Sequence, residues 1–382
     1  MVKTGLMVIT DIFSPIRGGT AVWFDEVYSR LGGKEIHIVT GQTTGSSDID
    51  QSHPNTIHRV ELRHSTWLRP YSLPIYWNLL VKCLGVASRI KFRAVHAGKV
   101  LPEGLVGWVI SRLFGKCLFI YAHGEEITTW RNTKRLYPMQ FLYRHANMVI
   151  ANSEFTKTEL VKLGVNPERI VIIFPGVNLA RFRPDNVNKG LRESIGITSE
   201  QKLIFSVGRL NLRKGFDQVI RVLPSLREYD LDVHYAIAGK GEAMDQLVAL
   251  AREQDVADRV HFLGAVSDDE LPGWYNACDV FAMPNREING DTEGFGMVFL
   301  EAAACGKAVV AGLAGGTGAA VEDGVTGLRV DGKSTIEIRN ALLSLLKDKS
   351  FNQRLGDAGL SRARESFGWE AVASNTHSVL KC

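Results

Sequence analysis

Two carboxylates with seven residues between them, Glu293 and Glu301, stand in the stretch NREINGDTEGFGMVFLEAAACGKAVVAGLAGGTG, residues 285–318. An apolar run, DVFAM at 279–283, leads into a polar, glycine-rich loop, and a helical pattern follows at once. Gly294, Phe295 and Gly296 fall at the helix entry, where main-chain N–H groups have no intrahelical partner. Such donors, with the positive end of the helix dipole, suit a phosphate or hydroxyl oxygen, and glycine lets a ligand come close. Glu301 lies among Met297, Val298, Phe299, Leu300 and alanines, an apolar setting in which a carboxylate needs a partner. The plain alternative is a first-turn acid followed by a solvated one. A ligand that engages both needs two hydroxyl groups, and a nucleotide sugar has them on hexose and ribose.

Two cations repeat the theme. GRLNLRKG, residues 208–215, follows the apolar run LIFSV and precedes a helix expected over 215–227. Arg209 and Lys214 at a helix N-terminus oppose the dipole, which makes sense if an anion lies between them. His123 follows LFIYA in the same way, in HGEE with Glu125 and Glu126, and Gly18-Gly19 opens a helix after the first apolar run.

These residues need strand ends to hold them. Short β-branched runs at 6–10, 36–40, 95–97, 118–122, 148–151 and 170–174 alternate with helical patterns, the first of which puts Phe24, Val27, Tyr28 and Leu31 on one face. After Pro175-Gly176-Val177-Asn178 and a polar stretch at 186–198, a second series begins, with strands at 203–207, 233–238, 260–263, 279–283 and 327–330. Alternation of this kind means βαβ units in doubly wound parallel sheets, whose ligands sit at the carboxyl ends of the strands. At 266–270, Ser267 and Glu270 form a capping box for a helix.

The EGFGMVFLE pattern, with AAACGKAVVAG and a GG turn after it, resembles the retaining glycosyltransferases of family 4 over nearly the whole chain. Within that family the spacing resembles the bacterial phosphatidylinositol-mannoside mannosyltransferases. The resemblance implies an α/β protein of the GT-B fold, two Rossmann-like doubly wound parallel-sheet domains facing across a cleft. It implies an acceptor-side domain over 1–185, a nucleotide-sugar-binding domain over 195–366, and a helix at 367–382 crossing back to the first. His123, Arg209, Lys214 and Glu293 would be catalytic: His123 near the reactive carbon, Arg209 and Lys214 on the diphosphate. Gly18, Gly19, Val266, Gly294, Phe295, Gly296 and Glu301 would bind the donor, Gly18-Gly19 facing the diphosphate, Val266 the base and Glu301 the ribose. Asn178 stands where the family usually has Asp. No cofactor and no metal are implied. The expected activity is transfer of a hexose, favoured as mannose from GDP-mannose, to a glycan or lipid-linked acceptor in cell-envelope synthesis. UDP-glucose or UDP-N-acetylglucosamine is the alternative donor, and a non-catalytic nucleotide-sugar-binding protein the alternative of another class.

The 382 residues suffice for two domains, and a formal charge of +4 argues against a nucleic-acid partner. The charge is uneven: residues 1–175 hold 21 Lys/Arg against 13 Asp/Glu. Residues 62–102 contain basic Arg63, Arg69, Lys82, Arg89, Lys91, Arg93 and Lys99 interleaved with Trp67, Leu68, Tyr71, Trp77 and other apolar residues. That composition suits an anionic membrane surface and predicts a cytoplasmic enzyme held peripherally on the inner face of the cytoplasmic membrane. The five cysteines form no C-x-x-C pair, so neither a disulfide framework nor a metal site is expected, and a reducing compartment is. The sequence shows no signal-peptide pattern and no uncharged apolar run long enough to span a bilayer. The loop SPIRGGTA lacks the G-x-G-x-x-G of a dinucleotide oxidoreductase. An epimerase's acid/base set is not apparent. The D-x-D pairs at 48–50 and 230–232 are not at strand ends.

Overall fold

The apolar runs become strands, buried nearly throughout in the middle of each sheet and half-exposed at its edges, the pattern of parallel sheets covered by helices on both faces. The computed structural model describes residues 5–16, 18–62, 72–184 and 189–380. The chain folds as two units, one of Met1–Pro175 with Trp369–Cys382 and one of Gly176–Gly368.

The first unit carries β1 (Leu6–Ile9), β2 (Ile36–Gly41), β3 (Thr56–Val60), β4 (Ala94–Ala97), β5 (Cys117–Ala122), β6 (Met148–Ala151) and β7 (Ile170–Ile172). All pair in parallel, in the order β3-β2-β1-β4-β5-β6-β7. The helix Gly19–Leu31 buries Trp23, Phe24, Val27 and Tyr28, while Leu31 stays half-exposed. The helix Trp369–Val379 packs against it, with Arg30 Nε 3.2 Å from Glu370. The second unit carries β8 (Lys202–Val207), β9 (Val233–Ala238), β10 (Val260–Gly264), β11 (Val280–Met283), β12 (Val309–Gly312) and β13 (Leu328–Val330), parallel in the order β10-β9-β8-β11-β12-β13.

Two strands escaped the sequence reading. β3, TIHRV, is an edge strand half-exposed at every position, so its polar residues hide the strand signal. β12 lies inside the glycine-rich tail of the two-carboxylate stretch. Arg63, Trp67, Leu68, Arg69 and Tyr71 of the basic segment lie outside the described residues. Cys83, Cys278 and Cys305 are free and buried, whereas Cys117 is disulfide-bonded, a correction to the expectation of uniformly reduced thiols.

Each sheet stacks a histidine of its edge strand on one of the neighbouring strand, and burial disfavours the charged form of all four. His37 on β2 meets His58 on β3 (Nδ1 to Nε2, 3.0 Å), and His234 on β9 meets His261 on β10 (2.9 Å). Burial pushes His58 and His261 down to about 4, helped by their histidine partners, and burial pushes His96 down to about 3 beside Arg93. A depressed folded value means the unfolded chain takes up these protons first. Their stabilisation is complete above the unfolded value, roughly pH 6.5, and drains away as pH falls toward 4. The melting temperature is expected to be flat from pH 8 to 7 and to drop by about 5 °C or more by pH 4.5. His58→Asn with His261→Asn should flatten that drop; an unchanged melting temperature at pH 4.5 contradicts the assignment.

Candidate functional site

In a doubly wound sheet the ligand crevice opens where the strand order reverses. In the second unit that point lies between β8 and β11. The loop after β8 brings Arg209, Arg213 and Lys214; the loop after β11 brings Glu293. Glu293 is the anion between the cations: its Oε2 accepts from the Lys214 ammonium and lies 3.0 Å from Arg213 Nη1. Burial pushes its carboxyl up, but the Lys214 ammonium and the Arg213 guanidinium outweigh that and hold it below the usual carboxylate range. Arg213 also reaches Asp291 at 3.0 Å, so one guanidinium clamps the whole loop. Sequence reasoning passed over Arg213, although it stands beside Lys214 in the same motif. Arg209 is exposed, and no ion pair engages it among the described residues.

The frame around these groups is rigid. The helix begins at Phe216 and ends at Arg227, with Gly215 in the left-handed region at φ 83°. A Cβ at Gly215 would come within 2.2 Å of the Pro284 carbonyl oxygen, so the two loops meet only because a side chain is absent. Asp217 and Arg286 form a buried bidentate pair at 2.9 and 2.8 Å, tying that helix to the loop after β11. Asn285 donates to Ala314 O at 3.0 Å and accepts from Gly312 N at 3.1 Å, and Gly316 N donates to Glu293 O at 2.7 Å. The Glu293 backbone is thereby pinned to the Gly315-Gly316 turn, where a Cβ on Gly315 would meet Glu293 O at 2.1 Å.

Gly296 caps the helix Met297–Ala304 in the left-handed region. Phe295 buries its ring against Phe367, with centroids 6.2 Å apart, so only its main chain is open to a ligand role. Glu301 has the partner its setting demands: Tyr275, fully buried on the helix Leu271–Ala277, donates its hydroxyl to Oε2 at 2.6 Å. Burial raises the Glu301 carboxyl and the Tyr275 bond offsets part of that rise. Val266 is half-exposed in the loop after β10, beside the Gly264 carbonyl that accepts from Gly239 N at 2.6 Å. The Ser267–Glu270 box forms, with Ser267 Oγ 2.8 Å from Glu270 Oε2, but it closes a turn and the helix itself starts only at Leu271.

The first unit reverses its strand order between β1 and β4. His123 follows β5, and its Nε2–H donates to the Gly98 carbonyl at 2.8 Å, a contact that orients the ring. Trp23 meets its ring edge-on at 5.9 Å. Of the two glutamates beside it, Glu126 is buried and structural, accepting from His123 N at 2.9 Å and from the Tyr143 hydroxyl at 2.7 Å, while Glu125 is exposed. Gly18 is exposed and Gly19 opens its helix. Asn178 closes an Asx turn, accepting from Ala180 N and Arg181 N at 3.1 Å each.

Residues 17–181 match the family described as Glycosyltransferase Family 4, and residues 188–362 match Glycosyl transferases group 1. The chain is 30% identical to the GDP-mannose-dependent alpha-(1-6)-phosphatidylinositol monomannoside mannosyltransferase of Mycolicibacterium smegmatis, over 98% of each chain. It is 33% identical to a D-inositol 3-phosphate glycosyltransferase of Streptomyces bingchenggensis, over 95% of this chain and 84% of that one. Among solved structures, Anabaena Alr3699/HepE in complex with UDP and glucose superposes with a TM-score of 0.82 at 20% identity, over 99% of each chain. The two parallel doubly wound sheets have the GT-B fold. The chain belongs to glycosyltransferase family 4.

Proposed function

We propose that this enzyme transfers mannose from GDP-mannose to a hydroxyl of a lipid-linked acceptor, with retention at the anomeric carbon and without a divalent metal. The observation that carries the reading is the Lys214–Arg213–Glu293 assembly at the switch point of the second unit, with Arg209 beside it on the same loop. A lysine ammonium has three donors. Glu293 takes one, which leaves two for a departing diphosphate, while Arg209 adds a second positive charge. Such preorganised charge usually supplies the largest share of catalysis. Glu293 would accept from a sugar hydroxyl, Glu301 from the ribose diol, and Val266 would border the base. Gly18, Gly19, Gly294, Phe295 and Gly296 would offer main chain, and His123 would sit near the reactive carbon. In the reaction the bond from the anomeric carbon to phosphate oxygen breaks and the bond to the acceptor oxygen forms on the same face. The acceptor proton passes to the departing phosphate. GDP-mannose and the lipid-linked acceptor rest on the mycobacterial relative's name.

The test is turnover of GDP-mannose with phosphatidylinositol monomannoside, with and without chelator. Transfer that survives chelation, with an α-linked product, is expected. Strict dependence on Mg²⁺ or Mn²⁺, a β-linked product, or turnover only with UDP-glucose or UDP-N-acetylglucosamine overturns the corresponding part.

The helix Leu73–Ala87 presents Leu73, Trp77 and Val81, four residues apart, with 44%, 66% and 50% exposure. They form one stripe. Exposed Arg89 and Lys91 follow the helix, and Lys82 lies on it. No helix among the described residues is long and apolar enough to cross a membrane. The proposed docking partner is the anionic inner face of the cytoplasmic membrane: the stripe enters the interface, and each basic residue contributes about 1 kcal/mol. Co-sedimentation at low salt should favour anionic over neutral vesicles and be lost when Lys82, Arg89 and Lys91 are replaced by Glu. Equal binding to both vesicle types contradicts it.

A further inference from the structure

The amino end of the first sheet carries a cleft of its own, at the edge opposite His123. It holds about 460 Å³, between the helix Leu105–Phe114, the helix Leu136–His145 and the residues leading into β5, β6 and β7. Arg112, Lys116, His145 and Arg169 line it, and no acid does among the described residues. The Arg112 guanidinium lies 5.9 Å from the Trp108 ring centre and the Lys116 ammonium 5.7 Å from that of Phe92. No carboxylate pairs with either, or with Arg169, among the described residues. Arg112 and His145 stand in the last turns of their helices, where the negative dipole end accounts for a cation. Lys116 and Arg169 lie beyond those turns. With Asn147 between them, they immediately precede β5, β6 and β7, three strands adjacent in the sheet. Parallel order thus brings three donors from distant parts of the chain to one edge. Asn147 Oδ1 accepts from Leu118 N at 2.8 Å, which fixes the amide and leaves its NH2 without a partner among the described residues.

We propose that this cleft binds a phosphate group as its dianion, carried by a small phosphorylated ligand or by a lipid headgroup. The Lys116 ammonium and the guanidinium forks of Arg112 and Arg169 supply charge-assisted donors, and Asn147 supplies a neutral one. Three unpaired cations exceed the single charge of a phosphodiester, so a phosphomonoester or a diphosphate is the better match. The volume is that of a small-ligand site, with room for the group that carries the phosphate. β5 spans six residues at about 3.3 Å each, which keeps the cleft about 20 Å from His123. Its ligand is therefore no reactant in the transfer, and the site stands whether or not the donor assignment does.

Calorimetry with inorganic pyrophosphate tests it on the full chain carrying Arg209→Ala and Lys214→Ala, which removes the diphosphate site proposed in the second unit. One-to-one binding is expected, weakened about tenfold or more when Asn147→Asp is added. That substitution keeps an acceptor for Leu118 N and puts a negative oxygen where the amide donor stood, so the fold has reason to hold. Arg112→Ala with Arg169→Ala, both at exposed positions, should weaken binding as far. Vesicles of phosphatidic acid and of phosphatidylglycerol, matched for surface charge, separate the two sources. A preference for phosphatidic acid that Asn147→Asp removes assigns the cleft to a headgroup. Pyrophosphate binding without that preference assigns it to a free phosphorylated ligand. Neither binding nor preference, or effects untouched by both sets of substitutions, overturn the proposal.

Discussion

Lys214→Ala should lower kcat by about a hundredfold or more, the effect of removing one preorganised donor from a developing negative charge. The structure sharpens this expectation. Lys214 and Arg213 share Glu293, so the Ala variant still holds that carboxylate through Arg213 at 3.0 Å and the loop has reason to keep its shape. The loss should therefore fall on turnover and on donor binding, with little change in melting temperature. A Lys214→Ala enzyme within about threefold of wild type in kcat and kcat/KM would remove the diphosphate role from this side chain.

The two glutamates should separate. Glu301→Ala is expected to weaken bare nucleoside diphosphate binding by about tenfold or more, the scale of a lost hydrogen bond to a charged group. Tyr275→Phe should give a smaller loss in the same direction, since the hydroxyl that orients Glu301 at 2.6 Å is gone but the carboxylate remains. Glu293→Ala should behave differently. Its removal frees Lys214 and Arg213 from their carboxylate partner, so bare diphosphate should bind as well as before or more tightly while turnover collapses. Equal losses of diphosphate affinity in the Glu293 and Glu301 variants contradict the division of labour.

Much of this arrangement could be read from residues in order. Runs such as LMVIT and LIFSV are apolar on both faces, which only a covered parallel strand requires, and their loops then had to carry the ligand groups. The demand that Glu301 have a partner also followed from its apolar neighbours. The partner itself did not, because Tyr275 comes from another helix and a hydroxyl aimed inward looks like any core aromatic. Arg213 was hidden in another way: between Leu212 and Lys214 it reads as one more loop charge, and only folding shows it 10% exposed between two acids. The Asp217–Arg286 pair was likewise invisible, since nothing local marks two distant charges as mutual partners. Lys116, Asn147 and Arg169 were hidden by distance, since they stand far apart in the chain. Topology places them before three neighbouring strands, which a linear scan of charge cannot do.

The central claim is that the second unit's switch point binds the nucleoside diphosphate of a nucleotide sugar. Calorimetric titration of the wild-type protein with GDP, and separately with UDP, tests it most directly, because neither acceptor nor turnover is needed. The account predicts saturable one-to-one binding of GDP, about tenfold or more tighter than UDP, weakened in Arg209→Ala and Lys214→Ala alike. Binding of neither nucleotide, or GDP binding untouched by both substitutions, would contradict it.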